Sequence, residues 1–177
     1  KLHAVDIGNG EQFAPDFLKF SPNGKIPALI DGRGDETISV FESGAILQYL
    51  AEAEGKFLPT KGQERVDALA WLFFQMASVG PMFGQLGHFQ RAEGEHPYSI
   101  KRYQDEVLRL YGVMDKRLSD VPYLAGEYSI ADMATYPWAD AFGYFNLDPK
   151  DWPNVQAWLK RVGERPAVKK ATAIEIA

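Results

Sequence analysis

The stretch SPNGKIPALI at residues 21–30, followed by FESGAIL at residues 41–47, decides how the N-terminal part of this chain is interpreted. The first segment predicts a loop that enters a strand at a proline. Proline cannot donate a ladder hydrogen bond, so its place at a strand entrance is unusual. A cis bond at Pro27 would leave the backbone of Ile26 free to pair with a ligand's peptide group, whereas the ordinary alternative is a trans-proline loop.

The second segment predicts a short strand that turns into a helix at Glu42 and Ser43. Ser43 is expected to cap this helix. The backbone N–H groups and the hydroxyl at a helix start can also bind a carboxylate, and Glu42 beside them would bind an ammonium group. The two segments together predict a pocket for a small peptide-like anion, with a free backbone edge on one side and a helix N-terminus on the other.

Composition excludes several classes of function. The chain has 177 residues, a net charge of −5 and no cysteine. The charge argues against nucleic acid and anionic membranes as main partners. The absence of cysteine excludes a disulfide framework, a thiolate metal site and a cysteine nucleophile, and the three histidines lack metal-ligand spacing, so no metal is expected. No apolar run of the ~18 residues that a membrane span needs is expected, and a cytoplasmic protein is predicted.

The periodicity of the sequence changes after about residue 54. Residues 2–7 predict a strand, residues 26–41 a hairpin and residues 46–53 a helix that stops at Gly55. The later pattern is helical, and Gly80-Pro81 predicts a kink or a break in the first long helix. The predicted architecture is an α/β domain at 1–54, a linker at 55–62 and an all-α domain at 63–177. The helices predicted in that domain cover 63–91, 97–118, 129–145, 152–164 and 169–176.

These motifs resemble the glutathione transferase superfamily. The segments GKIPAL at 24–29 and FESGAI at 41–46 look like its glutathione site. The segment from Ser129 to Asp132 is similar to the capping box that opens a core helix of the family's helical domain. It is also a capping box on physical grounds, since the Ser129 side chain can cap the helix and the Asp132 side chain can accept a hydrogen bond from the backbone N–H of Ser129. The segments WLFFQ at 71–75, GPMFGQ at 80–85 and RYQDEV at 102–107 resemble the bacterial Nu class, which is related to the yeast nitrogen-regulator prion.

The resemblance covers essentially the whole chain and implies a thioredoxin-like N-terminal domain followed by an all-α C-terminal domain. It also implies roles in glutathione binding. Ile26, next to Pro27, would pair with the cysteinyl backbone, and Glu42 with Ser43 would hold the γ-glutamyl head group. Gln12 and Lys25 would reach the glycyl carboxylate of glutathione. Arg102, on the helical domain, would add positive charge over the site, and Arg109 is the alternative residue for that role. Gln12, Lys25 and Arg102 are equally typical of solvated surface.

Aromatic residues and a histidine offer weaker candidates for the second-substrate pocket. His88, Phe83 and Phe89 could line that pocket, although such residues more often pack in a core or lie on the surface. The tryptophans Trp138, Trp152 and Trp158 are expected in the core.

A catalytic residue is not assigned within the chain. In the family that the motifs resemble, a strand and a helix precede the strand expected at residues 2–7. We therefore expect about 25–35 further residues upstream of Lys1, from the length of a strand–helix unit. The family's sulfur-activating hydroxyl, thiol or amide residue is expected within that upstream stretch.

The implied activity is that of an enzyme with glutathione as its co-substrate. The glutathione thiolate would attack a small electrophile or a disulfide, and the Nu class adds reduction of disulfide bonds. Two alternatives remain: a non-catalytic, transferase-like binding or regulatory module, and a structural helical protein with a thioredoxin-like cap. A homodimer is implied by the family.

Overall fold

The computed structural model describes residues 1–174, so residues 175–177, the end of the last predicted helix, lie outside the described part. Residues 1–174 form two strands, β1 and β2, and eight helices, α1 to α8, together with short 3₁₀ turns at Glu11–Phe13 and Pro149–Asp151. The strands are Ala28–Asp31 (β1) and Ile38–Phe41 (β2). The helices are Pro15–Leu18 (α1), Ser43–Glu54 (α2), Gly62–Phe74 (α3), Gly80–Arg91 (α4), Pro97–Asp120 (α5), Ile130–Ala139 (α6), Pro153–Gly163 (α7) and Pro166–Thr172 (α8).

The predicted hairpin is confirmed. Strands β1 and β2 are antiparallel, with Ala28 opposite Phe41 and Asp31 opposite Ile38. Arg33, in the turn, binds Asp31 with a nitrogen–oxygen distance of 2.8 Å and reaches Glu54 at the end of α2 at 2.6 Å. The ion pairs of Arg33 therefore connect the hairpin turn to the end of α2.

The pKa of Asp31 is held well below its usual range, first by its hydrogen bonds from Arg33 and then by the hydroxyl of Tyr49. A carboxyl whose folded-state pKa is depressed stabilises the fold while it is ionised, and it loses that contribution as the pH falls. We expect Asp31→Asn to lower stability at neutral pH, and the difference from wild type to shrink as the pH falls below about 4. Urea unfolding across this pH range measures the difference. Asp35→Asn, at an exposed position of the same turn, is the matched control; an equal, pH-independent difference for both variants would contradict the prediction.

The strand predicted at residues 2–7 is wrong. Residues 1–6 have no regular structure, and residues 7–10 form a turn. Leu2 and Ile7 are 67% and 56% exposed, respectively. The alternating pattern fits a strand, but a strand needs a neighbour to satisfy its backbone, and β1 pairs only with β2 among residues 1–174.

The first long helix of the C-terminal half runs from α3 into α4 without a break. A π-helical turn at Gln75–Val79 joins them, and the N–H of Gly80 donates to the carbonyl of Gln75, five residues back. Pro81 lacks an N–H and its ring would crowd a preceding carbonyl, so a widened turn just before it preserves helical continuity. The predicted irregularity is present, as a π turn before Gly80-Pro81.

Two apolar clusters form the core. The larger one packs α4, α5 and α7 together around Phe83, Tyr111 and Trp158, each at most 1% exposed. Full burial of one such side chain contributes about 1.5–3 kcal/mol. The smaller cluster joins α2 to α3 and α6 and contains Ala51, Leu58, Ala68, Leu72, Ile130 and Ala134, with Leu47, Leu69, Met76 and Ala125 packed against it. This second cluster attaches the hairpin unit to the helices.

The capping box at the start of α6 is confirmed. The side chain of Ser129 accepts from the N–H of Ala131 at 3.2 Å, and Asp132 accepts from the N–H of Ser129 at 3.0 Å. Asp132 is completely buried and also accepts from the indole N–H of Trp158 at 2.8 Å. The capping box therefore begins α6 and, through Asp132, also connects α6 to α7.

Within the described residues, one helical run is long and apolar enough to cross a membrane by length and composition alone. It is the run Gly62–Arg91, which covers α3, the π turn and α4. The sequence-based expectation that no apolar run reaches the ~18 residues of a membrane span is therefore wrong. The same test is passed by the core helices of globular domains, and this run packs against α5 and α6.

Candidate functional site

Glu42 and Ser43 stand at the junction of β2 and α2. Glu42 has φ 67° and ψ 121°, a left-handed conformation that is rare for a residue with a side chain and costs about 1–3 kcal/mol. Such strain is often found at binding sites. The carbonyl of Glu42 nevertheless accepts the first helical hydrogen bond, from the N–H of Ile46 at 2.9 Å.

Ser43 does not cap the helix, so that sequence-based expectation is wrong. Ser43 is the first residue of α2, and Glu42 occupies the capping position without a side-chain hydrogen bond to the helix. The Ser43 hydroxyl instead lies 3.8 Å from the sulfur of Met76, to which it donates a weak hydrogen bond. The first backbone N–H groups of α2 are therefore left without a side-chain cap, which is the arrangement that binds an anion.

Ile26 presents an unpaired backbone edge. The Ile26–Pro27 bond is cis, as the sequence raised as a possibility. Among residues 1–174, no protein group forms a hydrogen bond with the N–H or the C=O of Ile26, and its side chain is 50% exposed. These backbone groups are free to pair with an extended ligand, as a strand edge pairs with a peptide.

Ser21 and Asn23 hold the loop before Ile26 in place. Ser21 is 1% exposed, and its hydroxyl donates to the carbonyl of Lys25 at 2.7 Å while accepting the Lys25 N–H at 3.4 Å. The side chain of Asn23 donates to the carboxylate of Glu42 at 3.3 Å. The structure thus brings the loop at residues 21–26 and the start of α2 together.

Sequence reasoning did not assign a role to either of these residues. The signal was present, because Ser-Pro-Asn-Gly is typical of a turn whose polar side chains bond to nearby backbone. What the pattern does not show is that one such side chain faces inward onto Lys25 and the other crosses to Glu42.

We expect Ser21→Ala to lower the free energy of unfolding by about 0.5–1.5 kcal/mol, because the backbone of Lys25 loses its buried partner. Hydrogen exchange at the Lys25 amide should become faster, since the loop is no longer clamped. Ser39→Ala, at an exposed serine of β2, is the matched control. If both variants exchange Lys25 at the wild-type rate, Ser21 does not hold the loop.

The side chains of Gln12 and Lys25 differ in how far protein contacts hold them. The side-chain nitrogen of Gln12 donates to the carbonyl of Ile7 at 3.3 Å, and its side-chain oxygen is buried without a partner among residues 1–174. The side chain of Lys25 is exposed. Lys25 can therefore reach an anionic ligand directly, whereas Gln12 would first have to give up its contact with Ile7.

Arg102 lies on α5, beside an open cavity of about 910 Å³ between α4 and α5. Arg109 lines the same cavity, but two of its three side-chain nitrogens bind Glu106 at 2.7 Å, and this pairing holds the pKa of Glu106 below its usual range. Arg102 has no hydrogen-bonded carboxylate among residues 1–174. Arg102 is therefore the better candidate of the two for an anionic ligand, although no hydrogen bond in this part of the chain joins it to Ile26, Glu42 or Ser43.

The aromatic candidates separate into core and surface. Phe83 is 1% exposed and packs against Tyr111 and Phe145, so it cannot line a pocket as the sequence suggested. His88 is exposed on α4, and Phe89 stacks on Tyr103 of the cavity wall. No cluster of three or more His, Asp or Glu side chains is placed to hold a metal within residues 1–174.

The N-terminal part, with its unpaired Ile26 backbone, and the helical part match two domains of one family. Residues 1–52 match the family model "Glutathione S-transferase, N-terminal domain", and residues 66–166 match "Glutathione S-transferase, C-terminal domain". The chain belongs to the glutathione S-transferase family. The predicted fold class, a thioredoxin-like N-terminal domain with a small sheet followed by an all-helical domain, is confirmed.

Within the glutathione S-transferase family, the chain is similar to the following curated relatives. It is 49% identical over 176 residues to the disulfide-bond oxidoreductase YfcG of Escherichia coli, a match that covers 97% of this chain and 82% of YfcG. It is 32% identical over 211 residues to the protein URE2 of Candida albicans, covering 94% of this chain and 60% of URE2. The second match agrees with the resemblance to the nitrogen-regulator branch.

Solved structures share the fold closely. A glutathione transferase family member from Pseudomonas fluorescens, crystallised with two glutathione molecules, is 40% identical with a TM-score of 0.93; the match covers 99% of this chain and 82% of that one. A glutathione transferase from Pseudomonas putida, with one glutathione disulfide per subunit, is 40% identical with a TM-score of 0.91, covering 99% and 81%.

Proposed function

We propose that this chain is a glutathione transferase that uses the glutathione thiolate on a disulfide or a small electrophile. The observation that carries the proposal is the juxtaposition of the unpaired Ile26 backbone with the uncapped start of α2, linked by the hydrogen bond from Asn23 to Glu42. A γ-glutamyl tripeptide needs both elements, one for its peptide backbone and one for its amino-acid head group. The family membership and the glutathione-bound related structures support this assignment.

The proposed binding mode gives each residue one task. The N–H and C=O of Ile26 pair with the cysteinyl backbone of glutathione. The N–H groups at the start of α2 and the Ser43 hydroxyl bind the γ-glutamyl carboxylate, and Glu42 binds the neighbouring ammonium. Lys25 approaches the glycyl carboxylate, with Gln12 as a further contact, and Arg102 adds positive charge from the helical domain.

The proposed chemistry starts from the glutathione sulfur. A thiol with pKa about 8.5 is mostly protonated at neutral pH, so donors near the sulfur must favour the thiolate. The thiolate attacks one sulfur of a disulfide, a mixed disulfide forms, and the other sulfur leaves as a thiolate that takes up a proton. A second glutathione thiolate resolves the mixed disulfide, which yields glutathione disulfide and the second substrate thiol. No residue of this chain is assigned to sulfur activation.

Steady-state assays with 2-hydroxyethyl disulfide and with 1-chloro-2,4-dinitrobenzene test the proposal. We expect glutathione-dependent turnover of the disulfide, with little conjugation of the chlorobenzene. Tight glutathione binding without turnover of either substrate would favour a non-catalytic binding or regulatory module. The lack of any glutathione-induced thermal shift would favour a structural helical protein with a thioredoxin-like cap.

We also propose that the chain forms a homodimer through the outer face of α3 and the π turn. Val66 and Phe73 are 57% and 58% exposed, and with the exposed Ala70 and Ala77 they form an apolar stripe at helical spacing. An exposed apolar stripe of this kind often marks a protein–protein interface. Light scattering should give twice the chain mass for wild type and the mass of a monomer for Phe73→Glu; a monomeric wild type would refute the dimer.

A cytoplasmic location is the third part of the proposal. A chain without cysteine gains nothing from an oxidising compartment, and reduced glutathione is kept available in reducing ones. Fractionation of the producing cells tests this location.

A further inference from the structure

Met76 lies directly beneath the first turn of α2. It belongs to the π turn at Gln75–Val79 and packs against the cluster that joins α2, α3 and α6. Its sulfur lies 3.8 Å from the hydroxyl oxygen of Ser43. A methyl group added at Gly44 would lie 2.9 Å from that sulfur and 3.0 Å from the adjacent methylene carbon, so the helix start and the thioether are in close contact.

We propose that Met76 is a positioning residue for the head-group site, and that its oxidation to the sulfoxide weakens glutathione binding. The inference rests on the proposed function, because it concerns the affinity of that same site. In the reduced state, a thioether is a weak hydrogen-bond acceptor, and the Ser43 contact is long. The contact therefore holds the oxygen of Ser43 in place but leaves its proton able to turn towards a ligand carboxylate.

Oxidation changes both the strength of Met76 as a hydrogen-bond acceptor and the space that its side chain needs beside Ser43 and Gly44. A hydroperoxide transfers one oxygen atom to the sulfur and is itself reduced to water or an alcohol; the sulfur is oxidised by two electrons. The sulfoxide oxygen is a strong acceptor that holds the Ser43 proton and competes with the carboxylate of the ligand. Its added volume must be accommodated where Gly44 already approaches the sulfur without room for a methyl group. The head-group site therefore loses a donor and its helix start is displaced.

Oxidation of this sulfur is relevant to the proposed activity. The proposed substrates are thiols and disulfides, and Met76 is half-buried rather than sealed in the core. A methionine at this place links the oxidation state of the surroundings to the affinity for glutathione. Methionine sulfoxide is reducible, so the change is reversible.

Titration calorimetry with reduced glutathione, before and after treatment with hydrogen peroxide and removal of the peroxide, tests the oxidation step. We expect oxidised wild type to bind about two- to tenfold more weakly, the range for one hydrogen bond. Peptide mass spectrometry confirms oxygen on Met76. Met76→Leu should show the same affinity before and after treatment, whereas Met133→Leu, at a half-buried methionine of α6, should respond as wild type does.

Two results would overturn the oxidation step. The first is wild type that carries Met76 sulfoxide and binds as tightly as the reduced protein. The second is Met76→Leu that loses as much affinity on peroxide treatment as wild type, because the loss would then arise elsewhere.

A pair of variants tests the positioning role without any ligand. Met76→Ala removes the support under α2, so hydrogen exchange at the amide of Ile46, which bonds to the carbonyl of Glu42, should become about two- to tenfold faster. Adding Gly44→Ala to Met76→Ala places a methyl group 2.9 Å from the position that the sulfur occupied, so it refills part of the vacated space and should slow that exchange again. An unchanged rate in Met76→Ala would overturn the positioning role. If wild type binds no glutathione while the exchange responds as expected, the proposed function fails and the positioning contact stands.

Discussion

Replacing Asp132 by alanine is expected to lower the free energy of unfolding by about 3–5 kcal/mol. The carboxylate is completely buried and accepts from the N–H groups of Leu124 and Ser129, each at 3.0 Å, and from the indole of Trp158 at 2.8 Å. Alanine leaves these buried donors without an acceptor, at about 1–3 kcal/mol each. Burial raises the pKa of Asp132 despite these bonds, so removal of the charge offsets part of the loss.

Urea unfolding followed by circular dichroism measures this effect. Asp132→Asn retains one acceptor and should lose less stability than Asp132→Ala. Asp120→Ala, at an exposed aspartate at the end of α5, is the matched control and should change stability by less than about 0.5 kcal/mol. If Asp132→Ala and Asp120→Ala unfold at the same urea concentration, the buried carboxylate does not join α6 to α7 as described.

Glu42→Gln is expected to weaken glutathione binding about 10- to 100-fold, because a charge-assisted hydrogen bond to the ammonium becomes a neutral one. Glutamine has nearly the same shape, and the strained backbone of Glu42 does not depend on the side-chain charge. The fold should therefore be unaffected, and the loss should appear in affinity alone. Calorimetric titration with glutathione, together with thermal unfolding of the free protein, separates these quantities.

Glu36→Gln provides the control for charge. Glu36 is exposed in the hairpin turn, and its substitution changes the net charge by the same amount. Equal glutathione affinities for Glu36→Gln and Glu42→Gln would show that Glu42 does not hold the ligand's ammonium. A loss of thermal stability in Glu42→Gln that Glu36→Gln lacks, without a change in affinity, would point to a purely structural role for Glu42.

Local chemistry explains which parts of the fold could be predicted from sequence. The hairpin follows from the turn residues between Asp31 and Asp35, and the end of α2 follows from Gly55, which adopts a left-handed conformation. The capping box could be predicted because its partners, Ser129 and Asp132, are three residues apart. Each of these features is decided within a few residues of chain.

Features that depend on distant partners were missed. The alternating pattern of residues 2–7 fits a strand, but pairing decides whether a strand exists. Trp138 was expected in the core, yet it is 39% exposed, and its ring packs against Gly84 on α4. The bond from Trp158 to Asp132 spans 26 residues, and nothing local indicates it.

The candidate site also combines features that local sequence predicts with features that depend on distant contacts. The motifs predicted the Ile26 edge and the Glu42–Ser43 junction, because proline placement and an acid–hydroxyl pair are readable in sequence. The roles of Ser21, which clamps Lys25, and of Met76, which contacts Ser43, depend on how the chain folds back on itself. The second of these contacts joins the two halves of the molecule.

Amide chemical shifts of the isotopically labelled protein, recorded while reduced glutathione is added, test the proposal that glutathione contacts both the Ile26 backbone and the start of α2. We expect shifts that saturate together at Ile26 and at Ser43 and Gly44, the first residues of α2, whose backbone N–H groups have no side-chain cap. Shifts confined to the cavity between α4 and α5, at Met82 and Tyr98, would contradict it. The absence of any shift at saturating glutathione would contradict it as well.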